Sequence, residues 1–211
     1  LFAVSKGRLR EFSEGVLRGR HDFGWDFDWM FQTHASAKFD KETLELAKKA
    51  GCFFFSYGIE SASPRVLQSM NKKAKIPQFV EAIKLAEDAK IGFGGNLIFG
   101  DPSETPDTIY ESMEFWSQYC HSAFVFLGVV VPYPGSKIFD DSVKRGLIND
   151  KTAYYETLGQ VRFNMTSMSN QEWSYWLSFF EKMEHGWWGV KTTNMIRWEK
   201  ESGTDPRAEY Y

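Results

Sequence analysis

An apolar run that breaks into a glycine-proline turn and then into a helix start constrains this chain more than any other feature. Gly95-Asn96-Leu97-Ile98-Phe99 ends in Gly100-Asp101-Pro102, and Ser103-Glu104-Thr105 follows with the hydroxyl and acidic residues that open helices. A junction of the same kind, Tyr57-Gly58-Ile59-Glu60-Ser61-Ala62-Ser63-Pro64, lies one strand earlier. Ligands of α/β proteins gather where parallel strands end and helices begin, so two matched junctions predict one shared site.

The rest of the chain repeats the unit. Leu9, Phe12 and Val16 recur at helical spacing, and the run Phe27 to Phe31 reads as a buried strand. Asp40 is placed to cap a helix carrying Leu44, Ala47 and Ala50 on one face, Gly51 closes it, and Cys52-Phe53-Phe54-Phe55 begins the next strand. A short helix to Met70 precedes a longer one with the stripe Ile76, Phe79, Val80, Ile83 and Ala86, ended by Gly92. Phe93 to Phe99 is a third strand, Thr105 to Tyr119 a helix, and Phe124 to Val131 a fourth strand. Strands alternating with helices, with strands apolar on both faces, imply right-handed crossovers and a parallel sheet, as a barrel segment or a doubly wound sheet. From Lys151 the pattern weakens, and Gln171 to Glu184, with Trp173, Trp176, Leu177 and Phe180 in register, is its clear helix. Residues 1–150 therefore read as one α/β unit and residues 151–211 as a helical, aromatic-rich extension that holds five of the eight tryptophans.

Charge and cysteines exclude several function classes. With 25 basic and 28 acidic residues, the chain offers no general attraction for phosphate backbones, which argues against nucleic acid. No apolar run approaches the roughly 18 residues that span a bilayer, and the N-terminus lacks a secretory pattern, so the expected location is cytoplasmic. Cys52 and Cys120 stand far apart with no second cysteine at metal-clip spacing, and each reads as a small core side chain. No residue is assigned as a metal ligand. The first residue, Leu1, is not methionine, and the sequence is expected to begin inside a longer polypeptide.

Four strand ends supply the candidate site: Gln32, Thr33 and His34; Glu60 and Ser61; Asn96 and Asp101; Pro132, Tyr133 and Pro134. A sugar diol donates to a carboxylate while an amide both donates and accepts, so Glu60 and Asn96 suit a ribose. The alternatives are a Glu60 that caps the next helix and an Asn96 that bonds a neighbouring side chain within its strand. Gly94-Gly95 and Gly100 permit close backbone approach, against which a flat adenine ring fits.

In order and spacing, residues 1 to 145 resemble the later part of the catalytic barrel of radical SAM enzymes, especially the subgroup that often carries a cobalamin-binding domain in front. The motifs are Lys49-Ala50-Gly51-Cys52, Tyr57 to Ser63 with Val66-Leu67 and Met70-Asn71-Lys72, Ile98 to Thr105, and Val131-Pro132-Tyr133-Pro134-Gly135-Ser136. The resemblance implies a partial (β/α)6 TIM-like barrel and a four-iron four-sulfur (4Fe-4S) cluster that cleaves S-adenosylmethionine to a 5′-deoxyadenosyl radical. By position, Glu60 and Asn96 would hold the ribose hydroxyls, with Ser61 beside them, and Lys72 would neutralise the methionine carboxylate. Phe99, Gly100 and the backbone of Val131, Pro132 and Tyr133 would border adenine. His34, which stands where many relatives have arginine, would contact cofactor or substrate. The cluster cysteines belong to earlier strands, expected upstream of Leu1, so the segment alone is expected to be inactive.

The implied reaction is methylation or rearrangement of a small organic substrate, with cobalamin as a further cofactor and flavodoxin or ferredoxin as electron donor. No catalytic residue is assigned. An apolar or amphipathic substrate would account for the tryptophans of the extension, which would cover the mouth or bottom of the barrel. Relatives with a basic RNA-binding module modify tRNA, and residues 151–211 lack a basic stripe, so a methylthiotransferase-like tRNA enzyme ranks second. A cluster-free (β/α) nucleotide-binding protein and a scaffold are the remaining alternatives.

Overall fold

Four strands lie side by side in chain order, all parallel: β1 (Trp29–Thr33), β2 (Cys52–Glu60), β3 (Gly92–Phe99) and β4 (Phe124–Val129). The computed structural model of the chain describes residues 5–34, 37–120, 124–158 and 163–183. Right-handed crossovers that advance always to the next strand put every connecting helix on the same face. This order decides between the two architectures the sequence allows, because a doubly wound sheet reverses direction and covers both faces. The chain is a barrel-type α/β segment with one open face.

The connecting helices are α1 (Lys6–Phe23) before β1, α2 (Lys41–Lys49), α3 (Pro64–Ser69) and α4 (Ile76–Ala89) between β2 and β3, and α5 (Pro106–Tyr119). Their starts follow the sequence signals. The Asp40 carboxylate accepts from Thr43 N–H at 3.0 Å, and Thr105 and Thr108 cap α5 reciprocally. One core joins Leu9, Leu44, Phe79 and Trp116 of the helices to Phe55, Ile59, Phe93, Leu97 and Phe99 of the strands. On the opposite face Met30, Gln32 and Phe126 are exposed and Ser56, Asn96 and Ile98 half-buried, so the strands are not apolar on both faces.

Three boundaries differ from the sequence reading. The first strand begins at Trp29, and Phe27 stands outside it, exposed. Helix α4 ends on Lys90, which takes a left-handed conformation at φ 53°, and Gly92 opens the next strand instead of closing the helix. Strand β4 stops at Val129, where Val130 N–H still bonds Phe99 C=O at 2.8 Å.

After β4 come α6 (Lys137–Lys144), α7 (Lys151–Glu156) and a last helix, α8, over residues 170–183. Phe139, Ile148 and Tyr154 form a second small core, and the Tyr154 hydroxyl donates to Pro132 C=O at 2.8 Å. Helix α8 joins the main core through Trp173, Trp176 and Phe180. It packs on the helical side of the sheet, with Phe180 on Phe99 and Trp173 against Gly100 just past the end of β3. Glu184, Trp187, Trp188 and Trp198 lie outside the described residues. No helix among the described residues is long and apolar enough to cross a membrane.

Candidate active site

Glu60 ends β2 at φ 65°, a left-handed value that is uncommon for a residue with a side chain. Ser61 N–H bonds Ile59 C=O at 2.9 Å across it, closing a γ-turn of the rare positive-φ kind. The register also slips here, with Gly58 opposite Asn96 but Glu60 opposite Leu97. Strain of this kind persists where surrounding contacts fix it, and the fixing contacts are on the carboxylate. Glu60 Oε1 accepts from Lys72 Nζ at 2.9 Å, and Oε2 accepts from Asn96 Nδ2 at 2.8 Å. The Lys72 and Glu60 side chains are only 12% and 22% exposed.

Lys72 reaches this carboxylate because α3 ends in a Schellman turn. Asn71 adopts φ 53°, its N–H bonds Gln68 C=O at 3.0 Å, and Lys72 N–H bonds Leu67 C=O at 2.8 Å. The motif Met70-Asn71-Lys72 is therefore a device that reverses the chain and returns an ammonium to the strand end. Gly58 completes the arrangement. A Cβ there would collide with Glu60 Oε1 and come within 3.0 Å of Lys72 Nζ, so the ion pair lies directly over the glycine. Beside Lys72 opens a cavity of about 480 Å³, lined in part by Leu67, Asn71, Lys73, Lys75 and Ile76.

The structure thus brings together Glu60, Asn96 and Lys72. Glu60 does not act as a helix cap, since its partners are side chains, and Asn96 does bond a neighbouring side chain, that of Glu60. His34, half-buried, sits at the end of β1, where its C=O accepts from Ala37 N–H at 2.8 Å. Tyr133 is exposed, and Pro132 is buried with its C=O occupied by Tyr154. Val131 is half-buried two residues beyond β4.

Two expected contacts are turned away. Ser61 is buried, its hydroxyl 3.2 Å from that of Ser112 on α5 and accepting from Ser63 N–H at 3.1 Å. The Phe99 ring stacks on Phe180 at 4.1 Å on the helical side, so it does not border the open rim. The reason is strand parity. Counting by twos from Asn96 leads to Ile98 and not to Phe99, and Ile98 is half-buried on the open face. Ile98 and Gly58 are the site residues that a strict count of alternation and a tally of close approaches would have added.

Gly100 adopts φ 101°, and its N–H donates to Glu104 at 3.1 Å. Glu104 is fully buried, accepts from the Thr108 hydroxyl at 2.9 Å, and is pushed up to about 7 by burial, against the pull of its Thr108 and Gly100 hydrogen bonds. Its carboxyl ties the turn after β3 to the first turn of α5. Cys52 and Cys120 are buried thiols outside any disulfide, and burial pushes the Cys52 thiol up to about 12, which suits packing and not ligation. Among the described residues no three His, Cys, Asp or Glu side chains are placed to hold a metal.

Residues 26–115, which contain both strand-end junctions and all three members of the cluster, match the family model of the radical SAM superfamily. Over this stretch the chain is similar to that superfamily. An uncharacterized methyltransferase of Pyrococcus horikoshii is 26% identical over 147 residues, covering 70% of this chain and 31% of that protein. The bacteriochlorophyllide d C-12(1)-methyltransferase of Chlorobaculum tepidum is 31% identical over 105 residues, covering 49% of this chain and 23% of that enzyme. The chain spans about a third or less of the length of these relatives. Among solved structures, the radical S-adenosylmethionine methyltransferase TsrM of Kitasatospora setae superposes with a TM-score of 0.49 at 20% identity, over 61% of this chain and 25% of TsrM.

Proposed function

We propose that this radical SAM segment is the part of a methyltransferase that holds the ribose and carboxylate of S-adenosylmethionine. The observation that carries the reading is the convergence of Asn96 and Lys72 on the two oxygens of Glu60, at 2.8 and 2.9 Å. A carboxylate offers about four acceptor positions and two are used, which leaves room for a vicinal diol. Asn96, donating through Nδ2, presents its amide oxygen as a further acceptor. The Lys72 ammonium carries three donors, so a ligand carboxylate can share it beside the lysine-lined cavity. Ile98 offers an apolar surface next to Asn96 for the adenine, and Gly100 with the backbone of Val131 to Tyr133 frames the same rim.

Bound in the whole enzyme, S-adenosylmethionine supplies a 5′-deoxyadenosyl radical or a methyl group. The described residues do not fit a 4Fe-4S cluster, whose ligands, with a cobalamin site, belong to the rest of the protein in this reading. Methyl transfer is favoured over tRNA methylthiolation by the absence of a basic stripe in residues 151–211. A small, apolar substrate, a flavodoxin or ferredoxin as electron donor and a cytoplasmic location complete the proposal, the last in keeping with two cysteines that form no disulfide.

Titration calorimetry of the full-length protein with S-adenosylmethionine tests the reading. Glu60→Ala and Asn96→Ala should each weaken binding about tenfold or more, the loss of one or two hydrogen bonds to a polar ligand. Unchanged affinity in both variants would remove the site assignment while leaving the family intact.

A further inference from the structure

At the end of the molecule opposite the Glu60 cluster, the loop from α1 to β1 displays three aromatic rings to solvent. Phe23, Trp25 and Phe27 are 75%, 47% and 41% exposed, with successive ring centroids 6.0 and 6.1 Å apart. Contiguous exposed rings are rare on soluble surfaces and mark interaction sites. The display is built by specific residues. Gly24, at φ 68°, reverses the chain after α1, and its N–H bonds Arg20 C=O at 3.2 Å. Trp25 then lies flat over Gly19, where any Cβ would run into the indole. Arg20 donates to Phe27 C=O and sits 5.8 Å from the Phe27 ring centroid. Two glycines and an arginine thus fix rings that contribute little to the main core.

Carboxylates interleave with the rings. Asp22, Asp26 and Asp28 have side chains 53%, 100% and 34% exposed; Asp22 Oδ1 lies 2.7 Å from His21 Nδ1, and Arg20 approaches Asp26 and Asp28 at 3.8 and 3.9 Å. Rings alternating with acids attract a guanidinium on both counts, by stacking on the aromatic face and by bidentate bonding to carboxylate. The Arg20 to Phe27 contact is an internal instance of the first. An anionic bilayer or a nucleic acid would be repelled by the same carboxylates.

We propose that residues 22–28 form a docking surface for a protein segment in which arginines alternate with apolar side chains. The surface is independent of the S-adenosylmethionine site, since it lies before β1 and the cluster lies beyond the ends of β2 and β3.

The test uses the full-length protein labelled with ¹⁵N at tryptophan indoles and a peptide of alternating arginine and leucine as probe. The Trp25 indole signal, assigned by its loss in Trp25→Phe, should shift on titration. Asp22→Lys with Asp26→Lys should weaken binding about tenfold, as charge reversal at an interface rim does. Phe23→Ser, which alters an exposed ring, should weaken it with unchanged thermal stability. Binding insensitive to both variants would overturn the proposal, as would a Trp25 signal that does not move. Concentration-dependent dimerisation abolished by Phe23→Ser, or a preference for anionic vesicles over the peptide, would assign the surface to a second copy or a membrane and overturn it likewise.

Discussion

Gly58 shows how one residue without a side chain governs a site made of three others. The Glu60 and Lys72 side chains cross directly above it, and both are flexible at the atoms that a methyl group would meet. Gly58→Ala should therefore displace the ion pair at little cost to the fold, because long side chains yield where backbone would not. The expected outcome is a loss of S-adenosylmethionine affinity of about tenfold, equivalent to roughly 1.4 kcal/mol, with a melting temperature within a few degrees of the parent. Calorimetry beside a thermal melt separates the two readouts, and an unchanged affinity would show that the ligand does not use this carboxylate geometry. The pairing of Glu60 with Asn96 was legible in the sequence, because parallel strands in register bring their C-terminal ends to one rim. The orientation of Ser61 and Phe99 depends on strand parity and on the backbone reversal at Glu60, and a list of motif residues carries neither.

Glu104 acts at the level of elements, joining the turn after β3 to the start of α5. An unfolded glutamate titrates near 4.5, and burial holds this one at about 7. Between those values the folded protein keeps a proton that the unfolded chain has released, so stability falls as pH rises from about 4.5 to 7 and levels off above. The shift corresponds to about 3 kcal/mol, at 1.36 kcal/mol for each pH step. Urea unfolding at pH 5 and pH 8 should show this decline in the parent protein and a smaller one in Glu104→Gln, which cannot ionise. Equal slopes in the two proteins would mean that the carboxyl is ionised throughout and held by Gly100 and Thr108. Helix starts and stops of this kind were readable from Asp40, Thr105 and the prolines. The exchange of roles between Lys90 and Gly92 was not, because a lysine in a left-handed turn carries no local signature and a glycine does.

At the scale of the whole molecule, α8 fastens the later part of the chain to the main core. A helix with Trp173, Trp176, Leu177 and Phe180 on one face was evident from its spacing, but spacing names a buried face and not the surface that buries it. In the structure Phe180 stacks on Phe99 at 4.1 Å, Trp176 meets Tyr110 edge-on at 5.2 Å, and Trp173 lies 3.0 Å from the position of a Cβ on Gly100. These contacts tie α8 to the last residues of β3, next to Asn96 and to the turn held by Glu104. Phe180→Ala removes a buried ring and should destabilise the protein by about 3–5 kcal/mol. Because the cavity would open against Phe99 in the main core, the loss should appear as one cooperative unfolding transition shifted as a whole, with near-ultraviolet dichroism and far-ultraviolet dichroism changing together. An early transition that melts α8 alone, leaving the sheet at its original stability, would instead make residues 151–211 a separate folding unit. In the cooperative case, substitutions in α8 should also weaken S-adenosylmethionine binding through Gly100, without touching any residue of the Glu60 cluster.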